Sequence, residues 1–526
     1  MKRAVALLGA VVLTTSACGT QGNSGSGEKA LADGKTFTMS IGTDPGSLDP
    51  ALTVLSAARA LDRFLYAALI ERTPEGEIIA GLAEKWEATT TTATFTLRQG
   101  ITCTDGSPLT AKDVAANISF VGDPANKAAL TGLQVPAGTT ATADDAARTV
   151  TVTSGAPDAF LLTNIGTLPI VCAKGMADRS LLAKGEQGTG MFKITEIVPN
   201  DRYTMERRKD FAWGPGDWQQ NQPGLPDKVV IRVIPNETTA VNLLLQGQLT
   251  AAQIVGPDQE RLLAQKVDHV DGATPLGTLT FNQADGHPGK DPAVRKALVQ
   301  GLDLNQVGKV LTNGKGKPSQ SLVTVQPRPC TGDNVGPNLA KFDKAAATSA
   351  LDAAGWKAGA DGTRVKDGKP LTVKLLQPTV AGPTLTSSAE LIQQTWQGIG
   401  VKVEIAPVDS AGINQALFDT GAWDASMVPL TLSLPSQLTP FASGALPPDG
   451  VNFAHISNAE FDAQSKEAAT KAGKDGCENW NKAEAALVKD SSFIPYYDSV
   501  LPVFVKGAKF TISDSPDPAS IRMLAS

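Results

Sequence analysis

A chain of 526 residues, 41% of them hydrophobic and 19% charged, is long enough to build more than one core and too apolar to be disordered throughout. Its 47 basic and 53 acidic residues leave a formal charge of −6 with the basic ones scattered, which excludes a broad nucleic-acid-binding face. The longest basic run, Arg207-Arg208-Lys209, stands next to Asp210 and reads as a solvated face.

Lys2 and Arg3 form a positive n-region, Ala4 to Leu13 an apolar h-region, and "TTSAC" sets small residues before Cys18. The apolar run is too short to span a bilayer, so 1–17 is expected to be an export signal that is removed. The Ser-Ala-Cys ending resembles a bacterial lipobox, although Thr15 stands where Leu, Val or Ile is usual. Cys18 is therefore the expected lipidation site, and an ordinary secretory signal with an incidental cysteine is the alternative. "GTQGNSGSGEK" (Gly19 to Lys29) has the composition of a flexible tether, taken here as 18–35.

The first strand-like run, Phe37 to Ile41, is followed by "DPGSLDP" (Asp44 to Pro50). Its prolines fix two bends, Gly46 permits an unusual backbone angle, and Leu48 can plug inward. For Asp44 and Asp49, turn chemistry outweighs ligand contact. In "TCTDGSPLTAKDV", Asp105-Gly106 forms a turn and Thr110 caps the helix that begins near Ala111.

Apart from Cys18 there are four cysteines, Cys103, Cys172, Cys330 and Cys477, with no C-x-x-C and no neighbouring histidine. Outside the cytoplasm this favours disulfides over zinc. Three pairings exist; Cys103 with Cys172 and Cys330 with Cys477 is preferred because each pair then falls in its own half of the chain. Four buried free thiols are the other possibility.

Farther along, "DKVVIRVIP" (Asp227 to Pro235) is a β-branched run, Asn236 caps a helix through "ETTAVNLLLQ", Gly247 ends it, and Ala251 to Val255 returns as a strand. "GHPGKDPAVRKALVQGLD" reads as a loop followed by a helix with Asp291 as N-cap and Pro292 at its first position. A second β-α-β unit comprises Leu371 to Gln377, the helix "SSAELIQQTWQ" stopped by Gly398 and Gly400, and Val401 to Ile405. Parallel strands with covering helices in both halves predict two α/β lobes rather than one large sheet.

Catalytic signatures are scarce. The three histidines, His269, His287 and His455, are far apart and in no H-x-x-H or H-E-x-x-H arrangement, there is no G-x-S-x-G, and no K-T-G accompanies a serine motif. "NGKGKPS" (Asn313 to Ser319) lacks phosphate-loop spacing and reads as a surface turn. Carboxylates are abundant, but nothing selects a glycosidase-like pair. Neither an enzyme, a metal site nor a cofactor is expected.

"DPGSLDP", "FTLRQGITCTDGSPLTAKDV" (Phe95 to Val114), "GTGMFKI" (Gly188 to Ile194) and "TLTFNQADGHPGKDPAVRKALVQGLD" (Thr278 to Asp303) occur in one order, followed by "GWKAGADGTRVKDGKPLTVKLL", "LIQQTWQGIGVKVEIAPVD" and "FIPYYDS" (Phe493 to Ser499). This order, over nearly all of the chain after the tether, resembles the bacterial extracellular solute-binding proteins of family 5, the peptide- and nickel-binding receptors of ABC importers. The resemblance implies a two-lobed periplasmic-binding-protein-like α/β fold of class II with an extra subdomain and a ligand cleft between the lobes. Lobe I would take about 36–66, 165–272 and 489–526, with a subdomain at 67–164, and lobe II about 273–488. The family usually carries Trp where Cys103 stands, in keeping with a disulfide there.

By the same resemblance, hinge closure on a ligand would present the closed form to a membrane permease, with the chain a monomer held at the extracytoplasmic face by its lipid. Thr53 and Val54 would lie at the cleft wall, and Phe281, Asn282 and Trp423 are candidates to face the ligand. Peptide receptors of the family often hold the peptide ammonium with an Asp a few residues past a Trp; here Leu430 stands near that Trp and Ser433 near that Asp. Asp424 is closer to the strand start and is expected to be structural. The implied ligand is an oligopeptide or modified peptide, with an oligosaccharide or another medium-sized polar solute as the alternative. A lipid-anchored or secreted hydrolase would reveal itself by turnover, and a sensory lipoprotein by the lack of an adjacent permease.

Overall fold

The computed structural model describes residues 30–379, 383–512 and 515–525, so the expected signal, Cys18 and the first part of the tether lie outside the described residues. Strand β1 (Thr36–Ile41) leads into the Asp-Pro stretch, where Gly46 takes φ +66° and Leu48 is fully buried. Both acids there are structural. Asp44 accepts from Tyr203 Oη at 2.9 Å and from the Asn200 amide, and Asp49 accepts from Arg179 Nε at 2.7 Å. Helix α1 (Ser56–Leu65) follows, then the short pair β2 (Ile70–Arg72) and β3 (Ile78–Ala80).

A separate four-stranded antiparallel sheet comes next: β4 (Ala83–Ala88), β5 (Thr92–Leu97), β6 (Thr140–Asp144) and β7 (Thr149–Thr153), in spatial order β4-β5-β7-β6. Helix α2 (Ala111–Gly122) covers it with Val114, Ile118 and Val121. It starts on a capping box in which Thr110 Oγ1 accepts from the Asp113 amide and Asp113 accepts from the Thr110 amide. The disulfide Cys103–Cys172 ties this region to the segment that leads back to the first sheet.

The first sheet is completed by β8 (Phe192–Val198), β9 (Arg202–Arg207), β10 (Lys228–Val233) and β11 (Ala251–Gln253), with α3 (Glu237–Leu245) between the last two. Asn236 caps α3 by accepting from the Thr239 amide at 2.9 Å, and β10 and β11 both lie parallel to β1, on either side of it.

Strand β12 (Asp268–Phe281) then carries this sheet on from lobe I into lobe II, followed by α4 (Pro292–Gln300), whose cap Asp291 accepts from the Ala293 amide. The second β-α-β unit is β13 (Thr372–Pro378), α5 (Pro383–Gln397) and β14 (Lys402–Val408), its strands parallel, with the two-residue β15 (Ala425–Ser426) alongside β13. Helices α6 (Ala459–Ala469) and α7 (Cys477–Lys489) precede β16 (Phe493–Val505), the second disulfide, Cys330–Cys477, fixing the start of α7.

The expected two lobes share one eleven-stranded sheet, ordered β14-β13-β15-β12-β16-β11-β1-β10-β9-β8 with a two-residue strand at Lys317–Pro318 beside β16. Separate sheets were expected because local β-α-β signals say nothing about a strand pair long enough to belong to both. β12 and β16 are that pair. They run antiparallel from His269 opposite Phe504 in lobe I to Thr280 opposite Phe493 in lobe II, with irregular register on both sides of Gly277. The two largest clusters of buried side chains are one of residues 37–251 with 503–523 and one of residues 279–497.

Candidate functional site

The lobes enclose a cavity of about 650 Å³, within the range of small-ligand sites. Its floor is the strand pair that joins them, represented by Gly272, Leu501 and Val503. Lobe I supplies a charged wall: Arg59, Asp62 and Arg63 of α1, Glu71 and Arg72 of β2, and Asp517. Lobe II supplies an uncharged one, made by Val325 to Pro327, Thr431 to Leu434 and Gln437.

Helix α1 places its charges unusually. Ala58, Leu61 and Leu65 form the buried stripe, and Asp62, one turn after Ala58, falls inside it at 4% exposure. Asp62 Oδ1 has no hydrogen-bond partner among the described residues. Burial raises its pKa from 3.8 to about 8, with Arg59 opposing the shift and Asp49 adding to it. Burial likewise lifts Glu71 from 4.5 to about 7, against Arg63 and with a smaller push from Asp517. Tyr66 anchors the end of the helix, its hydroxyl donating to Leu48 O at 3.1 Å.

Among the described residues, the contacts that join the lobes beside the cavity include two that share residues with its lining. The Arg72 guanidinium donates to the Pro327 carbonyl. At the second, Phe160 and Ala159, just past the four-stranded sheet, seat in an apolar socket of lobe II formed by Cys330, Leu434, Ala468 and Trp480. The Phe160 and Trp480 ring centroids are 6.3 Å apart, and the Gly473 amide donates to Ala159 O at 2.6 Å. Leu434 belongs to both socket and cavity wall, so the rim contact and the site share a residue.

The residues singled out in the sequence scatter. Val54 and Ser433 line the cavity from opposite lobes. Thr53 is 9% exposed and its hydroxyl accepts from the Leu55 amide. Leu430 packs half-buried against the lobe II core. Phe281, Asn282 and Trp423, expected to face the ligand, are not on the cavity wall. Phe281 is 1% exposed with its ring 6.3 Å from Trp396 beneath α5, because strand alternation turns it with Leu279 into the core. Asn282 Nδ2 donates to Gly421 O and Trp423 O, holding the entry to β15, and Trp423 packs on Phe453. Asp424 is structural, as expected, accepting from the Lys374 amide at 2.8 Å and meeting His287 Nδ1 at 2.8 Å. The cysteines pair as preferred. The charged wall on α1 and β2 was not anticipated, though one signal was present in "SAARALDRFL": an aspartate inside an apolar stripe.

A cavity between two lobes joined by a shared strand pair has the geometry of a receptor that captures a solute. A sequence model of the bacterial extracellular solute-binding proteins, family 5 (middle region) matches residues 77–447, and the chain belongs to that family. It is 25% identical over 508 residues to the dipeptide-binding protein DppE of Bacillus subtilis (strain 168), covering 90% of this chain and 89% of that one. It is 27% identical over 496 residues to the glutathione-binding protein GsiB of Salmonella typhimurium, covering 88% of each. In fold it resembles the oligopeptide-binding protein AppA of Bacillus subtilis, solved with a nonapeptide, at TM-score 0.74 and 18% identity over 94% of this chain and 100% of that one. The family consists of extracellular solute receptors, and among the described residues no helix is long and apolar enough to cross a membrane.

Proposed function

We propose that this protein captures short or modified peptides outside the membrane for an ABC importer and releases them to the permease from its closed form, without catalysing a reaction. The observation that carries the reading is the interlobe cavity of about 650 Å³, charged on one wall and neutral on the other, with contacts between the lobes at its rim. Closure favours whichever ligand binds the closed arrangement better than the open one. The names of the relatives supply the ligand class: dipeptides for one, glutathione for another. The proposal includes lipid attachment at Cys18, a monomeric receptor, and the division into lobe I (36–66, 165–272, 489–526), subdomain (67–164) and lobe II (273–488). Native mass spectrometry of the chain purified through its own host's export pathway tests it. A released peptide or peptide derivative is the expected result; a released sugar or other non-peptide solute overturns the ligand class.

A further inference from the structure

Resting on the peptide reading, we propose that Asp62, on the lobe I wall, receives the free ammonium of the bound peptide. Lobe II offers no acid for this purpose: the cavity wall from Thr431 to Gln437 is uncharged, and Asp424, before it in the chain, has both oxygens engaged. Three acids do line the cavity, all from lobe I. Asp517 caps the turn that follows it, accepting from the Ala519 amide at 3.1 Å. Glu71 faces the electrostatic pull of Arg63. Asp62 differs from both, being 96% buried with Oδ1 unpaired among the described residues.

A buried carboxyl oxygen without a donor is unfavourable, and such groups in native structures call for a partner. An ammonium brings three N–H donors and a positive charge, which makes the bond charge-assisted. The charged groups acting on Asp62 are Arg59 on its own helix and Asp49 of the packed Asp-Pro stretch, which pairs with Arg179; Tyr66, one turn on, lies in the field of Asp62, Asp49, Arg179 and Glu186. Burial holds the acid protonated in the empty cavity at neutral pH. When the ammonium enters, the carboxyl O–H breaks and its proton passes to solvent, leaving a carboxylate paired with the cation.

The test offers the full chain, and the same chain with Asp62→Asn, a pool of synthetic short peptides with free amino termini and the same pool N-acetylated. Retained peptides are quantified by mass spectrometry. Calorimetry with the best-retained peptide, in two buffers of different ionisation enthalpy near neutral pH, counts protons. The unsubstituted chain is expected to prefer free termini by about tenfold or more and to release about one proton per peptide. Asp62→Asn, which matches the carboxylate in shape, is expected to lose both the preference and the proton release while its thermal midpoint does not fall. Persistence of the preference in Asp62→Asn, or equal retention of both pools by the unsubstituted chain, overturns the assignment while the peptide reading stands. Retention of neither pool overturns both.

Discussion

Phe160, from the loop that follows the four-stranded sheet, meets Trp480 of helix α7 with ring centroids 6.3 Å apart, across the rim of the cleft. This contact exists only while the lobes touch. Phe160→Ala is therefore expected to cost the closed form about 1–3 kcal/mol of apolar burial, shifting closure toward the open form and weakening ligand binding by roughly tenfold or more. Small-angle scattering of the ligand-bound variant checks this, through a larger radius of gyration at subsaturating ligand. Unchanged scattering and affinity would falsify a role for Phe160 in closure.

The socket that receives Phe160 includes Cys330, disulfide-bonded to Cys477 across a sequence separation of 147. In the chain-entropy model a loop of that length stabilises by about 5 kcal/mol, so Cys330→Ser with Cys477→Ser is expected to lower the unfolding midpoint substantially. It also loosens the socket, and ligand affinity should fall with it. Cys103→Ser with Cys172→Ser, in the other half of the molecule, is expected to cost about 4 kcal/mol in the same model without changing affinity measured well below the midpoint. Comparing denaturant titrations with binding isotherms for the two pairs separates stability from closure.

Asp62 has a folded pKa of about 8 against an ordinary 3.8, so folding is penalised whenever the unfolded chain has ionised this group. Below the unfolded value there is no penalty. It grows by up to about 1.4 kcal/mol per pH unit as pH rises through the window and levels off above the folded value. The ligand-free protein should thus lose stability relative to Asp62→Asn between pH 5 and 7.5, a slope read by urea titrations of both chains across that range. Parallel curves would show that Asp62 is ionised in the folded state throughout.

Gly277 lies at the irregular register of β12, and a Cβ there would stand 2.6 Å from the ring of Tyr496, which is 3% exposed. Gly277→Ala must push that ring into a filled core, at a cost of roughly 1–3 kcal/mol. Because the displaced strand pair joins the lobes, the exchange between open and closed forms should change as well as the unfolding midpoint. Fluorescence energy transfer between dyes on the two lobes, with and without ligand, reads the first, and calorimetric melting the second.

Local signals carried much of the fold. The β-α-β units around Asn236 and Gly398, the caps at Thr110 and Asp291, and the pairing of the four cysteines follow from short patterns and from position along the chain. The shared sheet did not, because β12 and β16 are more than 200 residues apart and their pairing is a tertiary fact. The site was harder still. Phe281 and Trp423 are aromatics whose type fits a stacking platform and a core equally well; strand register turns Phe281 inward, and Trp423, just before β15, is buried by packing on Phe453. The charged wall draws on α1, β2 and the stretch near Asp517, segments with no common motif. Asp62 alone left a trace, as a polar break in the apolar stripe of α1.

The N-terminal strand β1 finds its neighbours in β10 and β11, about 200 residues later, and Leu31 bridges Leu524 while Lys35 Nζ donates to the Leu524 carbonyl. The two ends of the described chain are thus clasped to each other. A polypeptide that emerges from a ribosome or an export pore N-terminus first must therefore hold lobe I incomplete until its last residues are through. Lobe II, nearly contiguous in sequence, has almost all of its parts by then. The order of emergence makes lobe I the last half of the receptor to be completed.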